Sequence, residues 1–298
     1  MRVTNNVMIE RSIRYINTTF QRLQACQERV ATGKSITRLS DDPHGAAKAV
    51  RIRSTLRGIE QYRRNVDDLT TELTANDDTL AKVGDVLNRV RELILRGATD
   101  TATPIEREAI AVEVTELFWE VVQAGNSVHN GRYQFAGHKV SSPPFEVVGN
   151  PPETVVYRGD SGRNVIEIGP GVTVASNLTG EEVFIGDVSV YDTLIEVANH
   201  LRSDDVETLA TADLANIDSV LDRVLKLRSE LGGRTNRAEL IANRLQDDTI
   251  SLTSLLSKTE DVDLAEAVLR LAEQENAYHA ALTAAARSAQ TGLINYLK

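Results

Sequence analysis

Residues 59–94, IEQYRRNVDDLTTELTANDDTLAKVGDVLNRVRELI, contain two series of mostly apolar residues that repeat every seven positions. The first series is Ile59, Val66, Leu73, Leu80, Leu87 and Ile94, and the second is Tyr62, Leu69, Asn76, Val83 and Val90. A sustained seven-residue repeat places both series on one side of an α-helix and is typical of a coiled coil. We therefore predict one helix from His44 to Arg96, about 80 Å long, in which Asn76 fixes the packing register.

A narrower apolar stripe precedes this helix. Its members are Ile9, Ile13, Ile16, Phe20, Leu23 and Val30. Their spacing predicts a first helix, and Gly33 suits the position just after a helix C-terminus. Asp42 and Pro43 suit the start of the next helix, as N-cap and first helical residue. The residues between Gly33 and Asp42 are thus predicted to form a linker.

The rest of the chain alternates between helical and β-favouring patterns. Thr103, Pro104 and Glu106 form a capping-box sequence that predicts a third helix. Residues 141–190 hold five of the seven prolines and several short β-favouring runs, which predicts a small antiparallel β insertion. Helical patterns then resume. The last helix carries an apolar stripe at Leu264, Val268, Leu271, Tyr278, Leu282, Ala285 and Ala289.

These elements predict a mainly α fold, an elongated coiled coil or helical bundle formed by both chain ends, with a small antiparallel β insertion in the middle. The predicted domains are a terminal coiled coil (1–35 with 262–298), a central helical bundle (36–140 with 191–261) and a β-rich outer insertion (141–190). Each terminal stripe lacks an obvious partner except the other. The first and last helices are therefore predicted to pair.

Composition narrows the possible function classes. The chain has 298 residues and a formal net charge of −10, which argues against a nucleic-acid partner. No apolar run reaches the roughly 18 residues of a membrane span, and the N-terminus lacks the apolar core of a cleavable signal peptide. A single cysteine, Cys26, excludes an intrachain disulfide. Composition alone favours a soluble cytoplasmic protein.

Two short motifs invite a catalytic interpretation. Gly33-Lys34-Ser35 matches the end of a phosphate-binding loop, but that loop requires a glycine where Glu28 stands and a preceding strand. Gly159-Asp160-Ser161-Gly162 resembles the surroundings of a serine-protease nucleophile, yet it lies between β-favouring runs and suits a hairpin tip. The five histidines show no metal-ligand spacing. We predict no catalytic residue, metal or cofactor.

Charge is unevenly distributed along the long helix. A basic stretch comprises Lys48, Arg51, Arg53, Arg57, Arg63 and Arg64, and an acidic stretch comprises Asp67, Asp68, Glu72, Asp77 and Asp78. The first interpretation is a solvated helix face. The alternative is head-to-tail complementarity between stacked copies of the chain.

Several stretches together resemble the bacterial flagellin superfamily. They are LQACQERVATGKSITRLSDDPHGAA (23–47), LNRVRELILRGATDT (87–101), LRSELGGRTNRAE (227–239) and AYHAALTAAARSAQTGLINYL (277–297). NGRYQFAGHK (130–139) and residues 155–184 resemble its hook–filament junction branch rather than filament flagellin. The residues that carry the family motifs are Asp41, Asp42, Pro43, Arg89, Glu92, Asn130, Gly131, Tyr133, Phe135 and Gly137.

The resemblance implies a non-enzymatic, structural role as a ring of copies of this chain between hook and filament. It implies hook-associated protein type 1 and flagellin as partners, and an export chaperone that binds the last helix. It also implies export, without cleavage, through the flagellar secretion apparatus to the extracellular flagellum, which replaces the cytoplasmic interpretation. The two terminal stripes would then be assembly seams. The alternatives are a minor filament flagellin and, in another class, a soluble coiled-coil enzyme or adaptor.

Overall fold

The computed structural model describes residues 5–99, 101–149 and 151–296, with side chains except at residues 5, 6, 8, 9 and 288–296. Helices dominate these ranges, which confirms the predicted mainly α fold. Their bounds are α1 Asn5–Thr32, α2 Pro43–Gly97, α3 Pro104–Gly125, α4 Val190–Ser203, α5 Val206–Thr208, α6 Leu214–Glu260 and α7 Leu264–Tyr296. Single π-helical segments occur at Glu181–Ile185 and Leu209–Asp213.

The middle of the chain forms three antiparallel hairpins. Their strands are β1 Val128–His129 with β2 Arg132–Tyr133, β3 Phe145–Val148 with β4 Thr154–Tyr157, and β5 Val165–Gly169 with β6 Val172–Ala175. The predicted small antiparallel insertion is therefore confirmed. The predicted hairpin tip at residues 159–162 is wrong, because β4 pairs with β3 and β5 with β6. Residues 159–162 instead connect one hairpin to the next.

Internal contacts divide the chain into two compact units. The terminal unit contains Met1–Gly58 and Asp247–Lys298, and the central unit is Ile59–Gln246. Both α2 and α6 contribute residues to each unit, and all three hairpins belong to the central unit. The three-domain division predicted from the sequence, at residues 35, 140, 190 and 261, stays a prediction.

The two heptad series of α2 lie in the core of the central unit. Leu69, Leu80, Leu87, Val90 and Ile94 are all 0% exposed, and Ile217, Val220 and Leu231 of α6 are also buried. Asn76 is only 4% exposed, and its Nδ2 donates to the carbonyl oxygen of Ser176 at 3.1 Å. This hydrogen bond gives the buried Nδ2 group a partner just beyond β6, whereas Oδ1 of the same side chain is buried without a hydrogen-bond partner among the described residues.

Ion pairs connect α2 to α6 at the edge of this core. Arg228 donates to both carboxylate oxygens of Asp77, at 2.9 and 3.2 Å, and Arg91 donates to Asp218 at 2.6 Å. Asp77 belongs to the acidic stretch of α2, and contacts between stacked copies of the chain were one interpretation of that stretch. Its carboxylate is already paired within the chain, so it is a weak candidate for such a contact.

An aromatic cluster joins the hairpins to the helices of the central unit. Phe184 stacks on Tyr191 with ring centroids 5.5 Å apart and lies 5.1 Å from Phe145 and 5.3 Å from Phe135. Burial raises the pKa of the Tyr191 phenol well above its usual range. The chain has few aromatic residues, and it concentrates several of them in this part of the core.

Candidate assembly surfaces

Helices α1 and α7 pack against each other in the terminal unit, as predicted. Leu23 of α1 is 8% exposed and Ala267 of α7 is 6% exposed. Phe20 approaches Tyr278 with ring centroids 5.7 Å apart. The first and last helices thus pair within one chain.

The face of α1 that packs differs from the predicted stripe. Its more buried positions are Ser12, Ile16, Thr19, Leu23, Cys26 and Val30, whereas Ile13 is 53% exposed and Phe20 43%. Small residues occupy half of this face, so a pattern of large apolar residues in the sequence identifies only part of it. Ile9 lies outside the residues with described side chains.

The more buried face of α7 also differs from its predicted stripe. Its more buried positions are Ala267, Leu271, Gln274, Tyr278, Ala281 and Ala285, whereas Leu264 is 56%, Val268 52% and Leu282 38% exposed. Leu264, Val268 and Leu282 therefore lie away from the more buried side of α7. Their role as contacts between copies stays a prediction, and the side chain of Ala289 lies outside the described part of the chain.

Lys34 of the Gly33-Lys34-Ser35 motif binds a carboxylate of its own chain. Lys34 Nζ and Arg53 Nη2 each lie 2.6 Å from Glu260 Oε2, and the Glu260 side chain is only 5% exposed. The Ser35 amide donates to the Glu260 carbonyl oxygen at 2.6 Å, and the Val262 amide donates to that of Gly33 at 3.0 Å. We name Lys34, Arg53 and Glu260 the Glu260 cluster. It joins the linker after α1 to the turn before α7.

Asp41 and Asp42 organise the start of α2. Asp42 Oδ1 accepts hydrogen bonds from the amides of His44 and Gly45, both at 3.0 Å, as an N-cap does. Asp41 Oδ2 accepts from the amide of Arg38 and the hydroxyl of Thr37, both at 3.0 Å. These bonds hold the pKa of Asp41 below its usual value. With Pro43 as the first helical residue, the Asp-Asp-Pro motif fixes where the linker ends.

Arg89 links α2 to Glu113 of α3 and also pairs with Glu92 of its own helix. Arg89 Nε and Nη2 donate to Glu113 Oε1 at 2.9 and 2.7 Å, and Nη1 donates to Glu92 Oε2 at 3.1 Å. The hydrogen bonds with Glu113 raise the pKa of Arg89. All three side chains are about half exposed, so this link contributes modestly to stability and forms a charged surface feature.

The Asn130–Gly137 segment folds into a hairpin followed by a tight turn. Asn130 and Gly131 both have positive φ, 49° and 76°, as the two-residue type I′ turn between β1 and β2 requires. Tyr133 is half buried and its amide donates to Val140 at 3.1 Å. Phe135 is 0% exposed. The family motif therefore specifies a backbone turn and an aromatic anchor.

The Gly159–Gly162 turn packs against that segment. Asp160 Oδ1 accepts hydrogen bonds from the amides of His138 and Gly162, both at 2.8 Å, which lower the pKa of Asp160. The Tyr157 hydroxyl lies 2.9 Å from the carbonyl oxygens of Phe135 and Asp160. Asp160 therefore stabilises a turn, and the sequence alone did not indicate that these two motifs meet.

Gly137→Ala is expected to destabilise the central unit by about 2 kcal/mol, because alanine is strained at positive φ and its Cβ would overlap a neighbour. Gly137 has φ +69°, and a Cβ there would lie 2.2 Å from Asp160 Oδ1. Gly131→Ala is the matched control, since Gly131 has φ +76° with nothing within 4 Å. Urea unfolding should show the larger loss for Gly137→Ala; equal losses would contradict the packing argument.

The described residues contain no group of three or more His, Cys, Asp or Glu side chains placed to hold a metal ion. Of the helices in those same ranges, none combines the length and hydropathy that crossing a membrane requires.

The comparison with known proteins supports the family resemblance that the sequence motifs indicate. The family model of the bacterial flagellin N-terminal helical region matches residues 3–140, and that of the C-terminal helical region matches residues 214–297. The chain is 25% identical over 304 residues to flagellar hook-associated protein 3 of Escherichia coli (strain K12), covering 95% of this chain and 96% of that protein. It is 26% identical over 257 residues to flagellin FlaB1 of Treponema pallidum (strain Nichols), covering 83% and 82%.

Solved structures show the same fold. The crystal structure of the flagellar junction protein from Legionella pneumophila aligns with a TM-score of 0.62 at 18% identity, covering 72% of this chain and 100% of that one. The two family matches together span well over half of the sequence and include both helices of the α1–α7 pair. The chain therefore belongs to the bacterial flagellin family.

Proposed function

We propose that this chain is a structural component of the bacterial flagellum and forms the junction ring between hook and filament. The similarity to Escherichia coli hook-associated protein 3 over nearly the whole length of both chains supports this role. So does the resemblance of residues 130–139 and 155–184 to the junction branch. The flagellin family is one of structural proteins, and the proposed role requires no catalysis.

The observation that carries the proposal is the apolar surface of the terminal unit. Tyr15 is 70% exposed and Ile13 53% on α1, while Leu269 is 67% and Leu264 56% exposed on α7. A helix pair that presents apolar side chains on its outer as well as its inner faces suits burial among further helices. Neighbouring copies or other axial proteins of the flagellum would supply those helices.

The proposed partners follow from the proposed position of this chain between hook and filament. Hook-associated protein type 1 would contact one side of the ring and flagellin the other. Before assembly, an export chaperone would cover α7, and the chain would leave the cell uncleaved through the flagellar secretion apparatus. The same exposed residues would thus bind the chaperone first and the neighbouring subunits later.

Immunogold labelling of intact flagella tests the proposed location. Label confined to a band at the hook–filament joint would support the junction ring. Label along the whole filament would instead support a minor filament flagellin, which the similarity to Treponema pallidum FlaB1 keeps as a second candidate. Label on the cell body only would contradict both roles.

Leu282→Asp is expected to prevent junction assembly while leaving the central unit folded. Leu282 is 38% exposed on α7 and lies outside the central unit. If subunits cover this side chain, aspartate there places an unpaired charge in an apolar contact, which is strongly unfavourable. Cells carrying only this variant should complete hooks and release flagellin as monomer into the medium.

The control for this variant is Asn276→Asp, which adds the same charge at an exposed polar position of α7. The variant chain must be measured in both cytoplasm and medium, because retention in the cytoplasm would indicate lost chaperone binding instead. Normal filaments on cells carrying only Leu282→Asp would show that this position is outside any assembly contact.

A further inference from the structure

Helix α3 has an apolar outer face in addition to its buried one. Ile105 is 82% exposed, Val112 51% and Trp119 44%, and these residues are spaced seven apart. The opposite side of α3, which includes Ile110, Val114, Phe118 and Val121, is at most 5% exposed. A helix that is apolar on both sides is one whose outer side suits burial by another surface.

Trp119 is the largest side chain of this outer face. Its ring contacts Phe118 edge-to-face, with centroids 5.4 Å apart, and Phe118 is 2% exposed in the core. The exposed indole of Trp119 therefore contacts a ring that belongs to the buried core. Tryptophans of this kind contribute disproportionately to protein–protein contacts, and their faces also attract arginine guanidinium groups.

The same face is acidic. Glu108, Glu116 and Glu120 are exposed on α3 beside the three apolar residues. A complementary partner is therefore a helix face of similar length with arginine and limited apolar surface. The face runs from Ile105 to Trp119, which is about 21 Å along the helix axis.

One face of α2 has these properties. Val50 is 57% exposed, and Arg57 and Arg64 follow at the same seven-residue spacing, both exposed. This face is also about 21 Å long. Arg53 is bound to Glu260 and Arg64 lies 3.6 Å from Glu60, whereas Arg57 has no ion-pair partner among the described residues. Both arginines of this face belong to the basic stretch, for which the sequence left a solvated face and a contact between copies as alternatives.

We infer that the acidic outer face of α3 (Ile105, Glu108, Val112, Glu116, Trp119, Glu120) binds the basic face of α2 (Val50, Arg57, Arg64) of a second copy of this chain. The two faces differ, so the contact is head-to-tail and each copy keeps one unused face. Such a contact continues from copy to copy and builds a ring when the rotation closes. The inference rests on the proposed junction ring and names the surface that joins its subunits.

A charge exchange tests the contact in assembled flagella. Arg57 and Val112 are the central residues of their faces, so Arg57 and the adjacent Glu116 come close whichever way the helices run. Full-length variants Glu116→Arg, Arg57→Glu and the double exchange would each be the only copy in the cell. The measurement is the amount of this chain retained per isolated hook–filament assembly.

Each single variant is expected to lower retention by about tenfold, because like charges then face each other at the centre of the contact. The double exchange should restore at least half of the original amount. Glu196→Arg, a charge reversal at an exposed position of α4, should leave retention unchanged. Circular dichroism of the purified variants would show that each is folded.

Unchanged retention in both single variants would overturn the inference. Loss in both without recovery in the double exchange would also overturn it, since α3 would then bind a different protein. The immunogold result is independent of these outcomes. Recovery together with label along the whole filament would keep the contact and reject the junction role.

Discussion

Replacing Leu80 by alanine is expected to lower the free energy of unfolding of the central unit by about 4 kcal/mol. Leu80 is 0% exposed and lies in the middle of the longest heptad series, on α2. The lost apolar contacts and the cavity left in a close-packed core both contribute to this cost. Trp119, the only tryptophan, belongs to the same unit, so its fluorescence during urea unfolding reports the loss.

Leu240→Ala is the matched control for Leu80→Ala. Leu240 lies on α6 in the same unit but is 70% exposed, so its truncation should cost less than about 0.5 kcal/mol. A loss at Leu80 no larger than that at Leu240 would mean that the heptad series does not face the core.

Removing both cations of the Glu260 cluster, with Lys34→Ala and Arg53→Ala, is expected to destabilise the terminal unit by about 3 kcal/mol. The Glu260 side chain is 5% exposed, so its charge would be left buried without a partner. Lys34 and Arg53 are partly exposed, at 39% and 50%, and solvent screening keeps the loss below that of a fully buried pair. Hydrogen exchange of α1 amides should accelerate by about a hundredfold.

Two further variants separate the buried charge from general surface effects. Arg38→Ala removes a more exposed ion pair with Glu28 in the same unit and should cost less than about 1 kcal/mol. Adding Glu260→Gln to the double variant removes the buried charge and should recover part of the protection. No recovery would assign the loss to the side-chain stems of Lys34 and Arg53 rather than to charge.

The sequence predicts the parts of this fold that depend on local pattern. The heptad spacing in α2 continues without a break, so this spacing alone predicts the helix and the side of it that is buried. The capping box of α3 is present as predicted, with Glu106 and Thr103 bonding each other's backbone amides. Asn130-Gly131 supplies two positive φ angles in a two-residue turn. In each case the signal lies within a few residues of the structure that it specifies.

The parts that depend on distant residues could not be predicted in this way. The contact between α1 and α7 runs through Ser12, Thr19 and Cys26, whose side chains carry little apolar signal, while Ile13 and Phe20 beside them indicate a different face. The Glu260 cluster joins residues that are up to 226 positions apart. Asp160 appeared in a motif associated with catalysis, and its hydrogen bonds with the amides of His138 and Gly162 show that it stabilises a turn.

The pairing of the first helix with the last has a consequence for the order in which the molecule folds. The Lys34–Glu260 contact beside this helix pair closes a loop of 226 residues, which costs roughly 5 kcal/mol of chain entropy for a flexible chain. We expect the core of the central unit, in which Asp77 of α2 pairs with Arg228 of α6, to form first and so to shorten that loop. We therefore expect α1 to stay unpaired during synthesis until α7 has been made, while the hairpins and the α2 core are already folded. The chain would thus acquire its terminal unit in the last step, when either end can still be captured by another protein.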